Sequence, residues 1–164
     1  MEILRGDKKH IAPCLSIARG LPQYFNERGI AMMTEDLKKH RLYVAVDFDE
    51  VLGFLTIMYK NEQVAEISWM AVKPEHQRRG IGSALIDHIV NKLRSEGIKL
   101  LVVKTLSEDV DYPPYEITRR FYKKKGFIHL ETIDPYPEWE PGNPCAIYVK
   151  VLSLIHISEP TRPY

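Results

Sequence analysis

The stretch "VKPEHQRRGIGSALIDHIV", Val72 to Val90, carries the strongest structural signal in the chain. A polar and basic segment, Gln77-Arg78-Arg79, leads into Gly80-Ile81-Gly82, after which apolar residues recur at every fourth position. That spacing predicts an amphipathic helix that begins near Ile81 and is ended by Gly97. The first N–H groups of a helix lack internal acceptors, and the helix dipole adds about half a positive charge there. The turn is therefore a candidate site for a phosphate or pyrophosphate group.

Two other phosphate-binding turns fit this segment poorly. A P-loop requires a lysine directly after its second glycine, and none follows here. The dinucleotide fingerprint requires a third glycine where Leu85 stands, and its glycines follow the strand at once, whereas residues 73–76 intervene here. A glycine-rich turn whose arginines are simply solvated is the remaining structural alternative.

The segments on either side of this turn alternate between strand-like and helix-like patterns. Asp7 is a candidate cap for the first helix and Thr34 for a short second helix. The order of segments predicts an α+β fold with a mixed, mostly antiparallel central sheet of about seven strands, flanked by about four helices. The predicted strands are residues 2–5, 42–46, 51–59, 64–72, 98–105, 127–133 and 145–151, and the predicted helices are residues 8–19, 35–40, 81–96 and 117–125.

The composition is that of one soluble domain. The chain has 164 residues, 45% of them hydrophobic and 27% charged, with a formal net charge of +1. The small net charge argues against a nucleic-acid partner, and no apolar run reaches the roughly 18 residues of a membrane helix. Cys14 and Cys145 make no disulfide framework, and the histidines lack metal-ligand spacing. We expect a cytoplasmic protein that binds no metal, membrane or nucleic acid.

The end of the chain has a different character. Leu152 to Arg162, "LSLIHISEPTR", matches the conceptual translation of a transposase-type sequencing adapter. We therefore expect residues 1–151 to form the domain and residues 152–164 to be a non-native tail. A native terminal strand is the alternative.

A second motif, Phe121-Tyr122-Lys123-Lys124-Lys125-Gly126-Phe127, closes the last predicted helix. Together with Gln77–Gly82 and the order of elements, it makes residues 2–151 resemble the GNAT superfamily of N-acetyltransferases. The acetyl-CoA loop of that family reads Gln/Arg-x-x-Gly-x-Gly/Ala, which Gln77–Gly82 matches. The resemblance implies the GNAT fold, acetyl-CoA as co-substrate, and acetyl transfer to an amine.

The resemblance also implies which residues bind acetyl-CoA. In this family the loop amides hold the pyrophosphate, and exposed backbone on the preceding strand pairs with pantetheine. One N–H group of that strand would polarise the thioester carbonyl. Gly80 and Gly82 have no Cβ, so a ligand could approach the backbone closely. The implied cofactor-binding residues are Met70, Ala71, Val72, Gln77, Arg78, Arg79, Gly80, Ile81, Gly82 and Ser83.

Two side chains are candidates for the proton transfers. An alkylammonium group with a pKa near ~10.4 must lose a proton before it attacks, and Glu66 matches the position of the base in histone-type members. Strand alternation predicts that Glu66 shares one face with Ser68 and Met70. Tyr122 matches the family tyrosine that protonates the departing thiolate. The structural alternatives are a paired strand carboxylate for Glu66, with water as the base, and a half-buried aromatic for Tyr122.

The chain departs from the family pattern at the start of the last predicted helix. Many relatives carry an asparagine seven residues before the tyrosine, where this chain has Tyr115, directly after Pro113-Pro114. We therefore expect the local cofactor contacts to differ.

The acceptor is predicted to be a small-molecule amine or a peptide. Three segments rich in carboxylates and aromatics would border it and would suit a cationic group, although solvated acidic loops explain them equally well. A non-catalytic acyl-CoA sensor of the same fold is the alternative function, and a homodimer is compatible with the resemblance. The bordering residues are Tyr24, Phe25, Glu108, Asp109, Asp111, Tyr112, Tyr136, Glu138, Trp139 and Glu140.

Overall fold

A computed structural model describes residues 1–152, and the predicted tail from residue 153 onward lies outside the described residues. None of the helices in the described part is long and apolar enough to cross a membrane. The strands are β1 (Glu2–Arg5), β2 (Arg41–Asp47), β3 (Glu50–Tyr59), β4 (Val64–Val72), β5 (Leu100–Leu106), β6 (Ile128–Ile133) and β7 (Cys145–Val151). The helices are α1 (Ile11–Arg19), α2 (Glu27–Lys39), α3 (Ile81–Ser95) and α4 (Pro113–Lys124), with 3₁₀ turns at Lys8–His10 and Pro74–His76.

The seven strands form one sheet in the order β1-β2-β3-β4-β5-β7-β6. Every neighbouring pair is antiparallel except β4 and β5, which are joined through α3 and run parallel. A parallel pair requires a crossover connection, and the amphipathic helix after the glycine turn supplies it. The predicted α+β fold, with a mixed seven-stranded sheet and four helices, is confirmed.

Each face of the sheet is covered by two helices. α1 and α2 pack on one face, where Met33, Leu37 and Phe54 are buried together. α3 and α4 pack on the other, where Leu85 and Ile89 are fully buried. We call these the α1/α2 face and the α3/α4 face.

The prediction for α2 was wrong. The second helix was predicted to span only residues 35–40 with Thr34 as its cap, but it begins at Glu27, where the Asn26 side chain accepts a hydrogen bond from the Gly29 amide at 2.8 Å. Thr34 lies inside the helix and donates to the Ile30 carbonyl. Burial of Met33 against the sheet outweighs the cost of about 1 kcal/mol for a glycine in the helix.

α4 also begins earlier than predicted, at Pro113 rather than Ile117. Proline suits the first helical turn because its missing N–H would have no acceptor there. The two prolines are therefore the first two residues of α4 and do not shift its start towards Ile117.

A β-bulge in β4 overturns the predicted alternation. Thr56 of β3 pairs with Trp69, but the next residue, Ile57, pairs with Ile67, so Ser68 is an extra residue on β4. Ser68 keeps its side chain on the α1/α2 face, where its hydroxyl is 2.7 Å from that of Thr56. Met70 consequently packs on the α3/α4 face with Ile67. Glu66, next to Ile67 in a regular stretch of strand, points to the opposite face from Met70.

Leu152 ends the described chain inside the core, although the sequence analysis assigned it to the tail. Its side chain is 0% exposed and packs on the α3/α4 face. Its amide donates to the Lys99 carbonyl at 2.8 Å, and its own carbonyl accepts from the Arg94 guanidinium at 2.7 Å.

Candidate active site

β4 and β5 separate part-way along their length. Their parallel pairing runs from Val64 opposite Leu100 to Ile67 opposite Val103 and then stops. Beyond that point β5 stays paired with β7, and β4 stays paired with β3. Within residues 1–152, the edge of β4 from Ser68 to Val72 that faces β5 therefore has no strand partner. We call this opening the fork.

The glycine turn lies just beyond the fork. Gly80 is the N-cap of α3 with φ +81°, and a Cβ there would meet no atom within 4 Å. The first helical hydrogen bond is donated by Ala84 to the Gly80 carbonyl, so the amides of Ile81 to Ser83 precede it. Such amides lack intrahelical acceptors and remain available to an anion. Residues 77–80 are exposed, which leaves the turn open to a ligand.

Gly82 has a packing role that the sequence analysis did not anticipate. A Cβ on Gly82 would lie 3.0 Å from the Met70 Cε and 3.3 Å from the Phe121 Cζ. The absence of a side chain therefore lets α3 pack closely against β4 and α4. Of Gly80 and Gly82, only Gly80 has open space beside its Cα.

Lys125 is a cation close to the first turn of α3. Its Nζ is 2.7 Å from the Ser83 hydroxyl and 2.7 Å from the Asp87 carboxylate. Lys123 and Lys124 are exposed. Of the three consecutive lysines, Lys125 is the one that the structure places beside the predicted phosphate-binding amides.

Tyr122 lies on the α3/α4 face next to the fork. Its side chain is buried, at 6% exposure, and its hydroxyl contacts the Met70 Sδ at 3.8 Å. Burial, with a smaller contribution from Tyr115, raises the pKa of Tyr122 above its ordinary value. The phenol therefore keeps its proton throughout the neutral range and can donate it.

Glu66 lies on the opposite face, beside the last paired residues of β4 and β5. It is 7% exposed, and its Oε1 lies 3.3 Å from the Lys60 Nζ and 3.2 Å from the Lys104 Nζ. Burial lowers the pKa of Lys104, but a hydrogen bond with Tyr136 and the charge of Glu66 outweigh it and raise that pKa overall. The Glu66 carboxyl group therefore lies between two lysine side chains.

The sequence of residues 38–129 matches the family model of the acetyltransferase (GNAT) domain. The match covers more than half of the chain. The chain belongs to the GNAT acetyltransferase family. Membership of this family confirms the prediction of an acyltransferase that uses acetyl-CoA and acts on an amine.

Individual relatives of this GNAT domain are distant in sequence. An uncharacterized N-acetyltransferase from the lysA 3′ region of Bacillus methanolicus is 22% identical over 120 residues, which are 69% of this chain and 88% of that protein. A GNAT-family structure from Desulfovibrio desulfuricans has 21% identity and a TM-score of 0.81, over 93% of this chain and 99% of that one. An aminoglycoside 6′-N-acetyltransferase complexed with coenzyme A has 16% identity and a TM-score of 0.72 over the whole of both chains. The two structural matches establish the fold.

The residues around the fork suit acetyl-CoA. The unpaired edge of β4 offers backbone groups to pantetheine, and the amides at Gly80 offer donors to a pyrophosphate. Within residues 1–152, the Thr105 hydroxyl is buried without a hydrogen-bond partner. By alternation from Val103, Thr105 lies on the α3/α4 face of β5, next to the fork. A buried hydroxyl of this kind calls for a partner, which a bound ligand can supply.

The three segments predicted to border the acceptor do meet. The Tyr24 hydroxyl donates to the Pro114 carbonyl at 2.9 Å, and the Tyr115 hydroxyl donates back to the Tyr24 carbonyl at 3.2 Å. Arg28, near the start of α2, pairs with Glu140 of the β6–β7 loop at 3.1 Å. Tyr115 therefore fastens the α1–α2 loop to the start of α4.

Sequence reasoning missed the lysine partners of Glu66. Lys60 lies six residues before Glu66 in the β3–β4 hairpin, and Lys104 lies on β5, which pairs with β4 only in the folded sheet. The one available signal was Lys104, which directly follows the four apolar residues 100–103 of a strand expected to be covered on both faces. Such a residue in a covered strand requires a carboxylate partner.

Proposed function

We propose that this GNAT domain transfers the acetyl group of acetyl-CoA to a primary amine of a small molecule or peptide by direct attack within a ternary complex. The observation that carries the proposal is the fork between β4 and β5, with Tyr122 on one side of the sheet and Glu66 on the other. A thioester held in the fork would have an acid on its leaving-group side and a base on the side from which the amine enters.

The cofactor would lie along β4 and across the glycine turn. Met70, Ala71 and Val72 would pair with pantetheine through the backbone, and one of their N–H groups would polarise the thioester carbonyl. The amides of Arg79 to Ser83 would hold the pyrophosphate, with those of Gln77 and Arg78 nearby. Gln77 supports the turn, since its side-chain amide donates to the Val72 carbonyl at 3.1 Å.

The reaction would then need three proton transfers. The acceptor reaches the site as an ammonium ion, and Glu66 accepts a proton from it, directly or through water. The free amine attacks the thioester carbonyl carbon and a C–N bond forms, after which the positively charged nitrogen loses its extra proton to water. The C–S bond breaks as Tyr122 donates its phenolic proton to the departing thiolate, and Tyr122 regains a proton from solvent.

The surroundings of the acceptor support a cationic substrate. Lys60 and Lys104 already pair with Glu66, so Glu66 adds no net negative charge to the acceptor site. Exposed carboxylates on the bordering loops supply negative charge, and the rings of Tyr136 and Trp139 on the β6–β7 loop contact each other edge to face, with 5.4 Å between their centroids. These carboxylates are Asp109 and Glu138.

The test is thiol release from acetyl-CoA in the presence of polyamines, aminoglycosides, simple alkylamines and short peptides, with the product identified by mass spectrometry. We expect one class of acceptor to give an N-acetylated product in proportion to the thiol released. Binding of acetyl-CoA without N-acetylation of any class would contradict the proposal and favour the acyl-CoA sensor.

A further inference from the structure

The outer side of α4 borders a polar cavity of about 430 Å³. Its floor is the loop between β5 and α4, and its wall is one side of α4. We call it the Arg119 cavity. Its charged lining consists of Glu108, Asp111, Glu116, Arg119, Arg120 and Lys123.

The Arg119 cavity is separate from the fork. Arg119 and Phe121 are two positions apart on α4, which rotates them by about 200° around the helix axis. Phe121 packs beside Gly82 in the α3 turn. Arg119 therefore points away from α3, and its NH1 donates to the Leu106 carbonyl at 2.7 Å. None of the residues that line the cavity belongs to β4, the glycine turn or α3.

Arg119 is a buried charge without a counter-ion. It is 7% exposed, and among residues 1–152 it forms no ion pair with a carboxylate. A guanidinium has five N–H donors, and the bond to Leu106 accounts for one of them. No Arg119 nitrogen is among the fully buried side-chain polar atoms that lack a hydrogen-bond partner in residues 1–152, so the donors not used by Leu106 remain accessible from the cavity. An anion in the cavity could accept charge-assisted hydrogen bonds from them.

The other charges of the cavity suggest a ligand that carries both signs. Arg120 and Glu116 pair with each other at 2.6 Å and so cancel. Lys123 adds to the positive charge at Arg119 one turn further along α4, while Glu108 and Asp111 place negative charge on the loop. None of these last three residues forms an ion pair within the described part of the chain.

We propose that the Arg119 cavity binds a small zwitterion with the chemistry of a free amino acid. Its carboxylate would pair with Arg119 and Lys123, and its ammonium group would face Glu108 and Asp111. The volume lies in the range of small-molecule sites, and Val110 and Tyr112 give the cavity an apolar part for a side chain. This ligand site does not depend on the proposed acetyl acceptor.

The test is the thermal unfolding midpoint of the full chain, without acetyl-CoA, in L-alanine, L-glutamine or L-phenylalanine. At a ligand concentration ~100 times Kd, we expect at least one of these to raise the midpoint by ~5 °C. Propionate and ethylamine, or 3-phenylpropionate and phenethylamine, each keep one of the two charges and should give little or no shift. A shift from the carboxylates alone would overturn the zwitterion proposal.

Three variants test whether the shift in midpoint comes from binding in the Arg119 cavity. Arg119→Met should abolish the shift and slightly lower the ligand-free midpoint, because the Leu106 carbonyl loses its donor. Asp111→Asn, at an exposed position, should weaken the shift without affecting folding. Lys124→Gln, an exposed neighbour outside the cavity, should retain the full shift. Absence of any shift in the wild-type chain, or a shift that survives Arg119→Met, would overturn the proposal.

Discussion

Burial keeps the Tyr122 phenol in its protonated form, because it raises the pKa of the group. Its ring packs edge-on against Phe121 and Phe127, and within residues 1–152 its hydroxyl reaches only the Met70 sulfur, which is a weak acceptor. Because burial raises its pKa, the phenol is protonated at any pH where the domain would work. A thiolate leaving from the fork would be the strongest proton acceptor near it.

Replacing Tyr122 with Phe should therefore lower kcat by ~100-fold while leaving the affinity for acetyl-CoA unchanged, since a general acid contributes about that factor or more. The measurement is steady-state thiol release, with acetyl-CoA binding followed by calorimetry. Tyr43→Phe is the matched control because Tyr43 is a buried tyrosine in the same core, on β2. An unchanged kcat in Tyr122→Phe would exclude the phenol as the acid.

Glu66 combines a proposed catalytic role with an evident structural one. Glu66→Gln should lower kcat by ~100-fold and should also reduce the free energy of unfolding by about 1–3 kcal/mol, because it leaves the Lys104 ammonium without its anion. The double variant Glu66→Gln/Lys104→Met should recover much of that stability in urea unfolding. If kcat recovers together with stability, Glu66 is only a structural partner and water is the base.

At the level of secondary structure, the strands and α3 could be predicted from sequence because apolar periodicity dominates in them. β4 begins and ends as predicted, and α3 begins at the predicted residue. The α2 prediction failed because its stabilisation comes from tertiary burial of Met33 and Leu37, which outweighs local propensity. The bulge at Ser68 has no local sequence signal, since it is a property of the pairing between β3 and β4.

The glycine turn allows a test with a closely matched control. Gly80 begins α3 and Gly97 follows it, with φ of +81° and +82°, and neither has an atom within 4 Å of an added Cβ. Gly80→Ala and Gly97→Ala should therefore each cost about 1–2 kcal/mol of unfolding free energy, from backbone strain alone. Only Gly80→Ala should weaken acetyl-CoA binding severalfold, as measured by calorimetry. Equal affinities for acetyl-CoA in the two variants would show that the turn does not bind the cofactor.

For the whole molecule, the fold could be predicted from the order of elements and the two motifs, but the arrangement of the site could not. The glutamate and the tyrosine were proposed from their positions in the motifs, whereas the placement of Met70 beside Tyr122, on the opposite face from Glu66, follows from one extra residue in β4. The lysine pair around Glu66 and the buried Arg119 depend on contacts between distant segments. Periodicity within a segment carries no information on such contacts.

The proposed boundary of the native domain can be tested by stability. A chain ending at Leu152 should have the same unfolding free energy as the full chain, since the proposal treats the residues beyond it as non-native. Leu152→Ala should lose about 2–5 kcal/mol, because the side chain is fully buried in the core. Urea unfolding of the three proteins measures both effects. A large loss on truncation after Leu152 would show that the residues beyond it belong to the domain.

The most direct test of the whole account is amide hydrogen exchange, followed by mass spectrometry, with and without acetyl-CoA. Cofactor bound along the fork and at the glycine turn should slow exchange in Met70–Val72 and Arg79–Ser83, because those amides would gain acceptors. The β2–β3 hairpin and the α3 C-terminus near Gly97 should exchange at unchanged rates. Bound acetyl-CoA that leaves Met70–Val72 and Arg79–Ser83 unprotected would contradict the account.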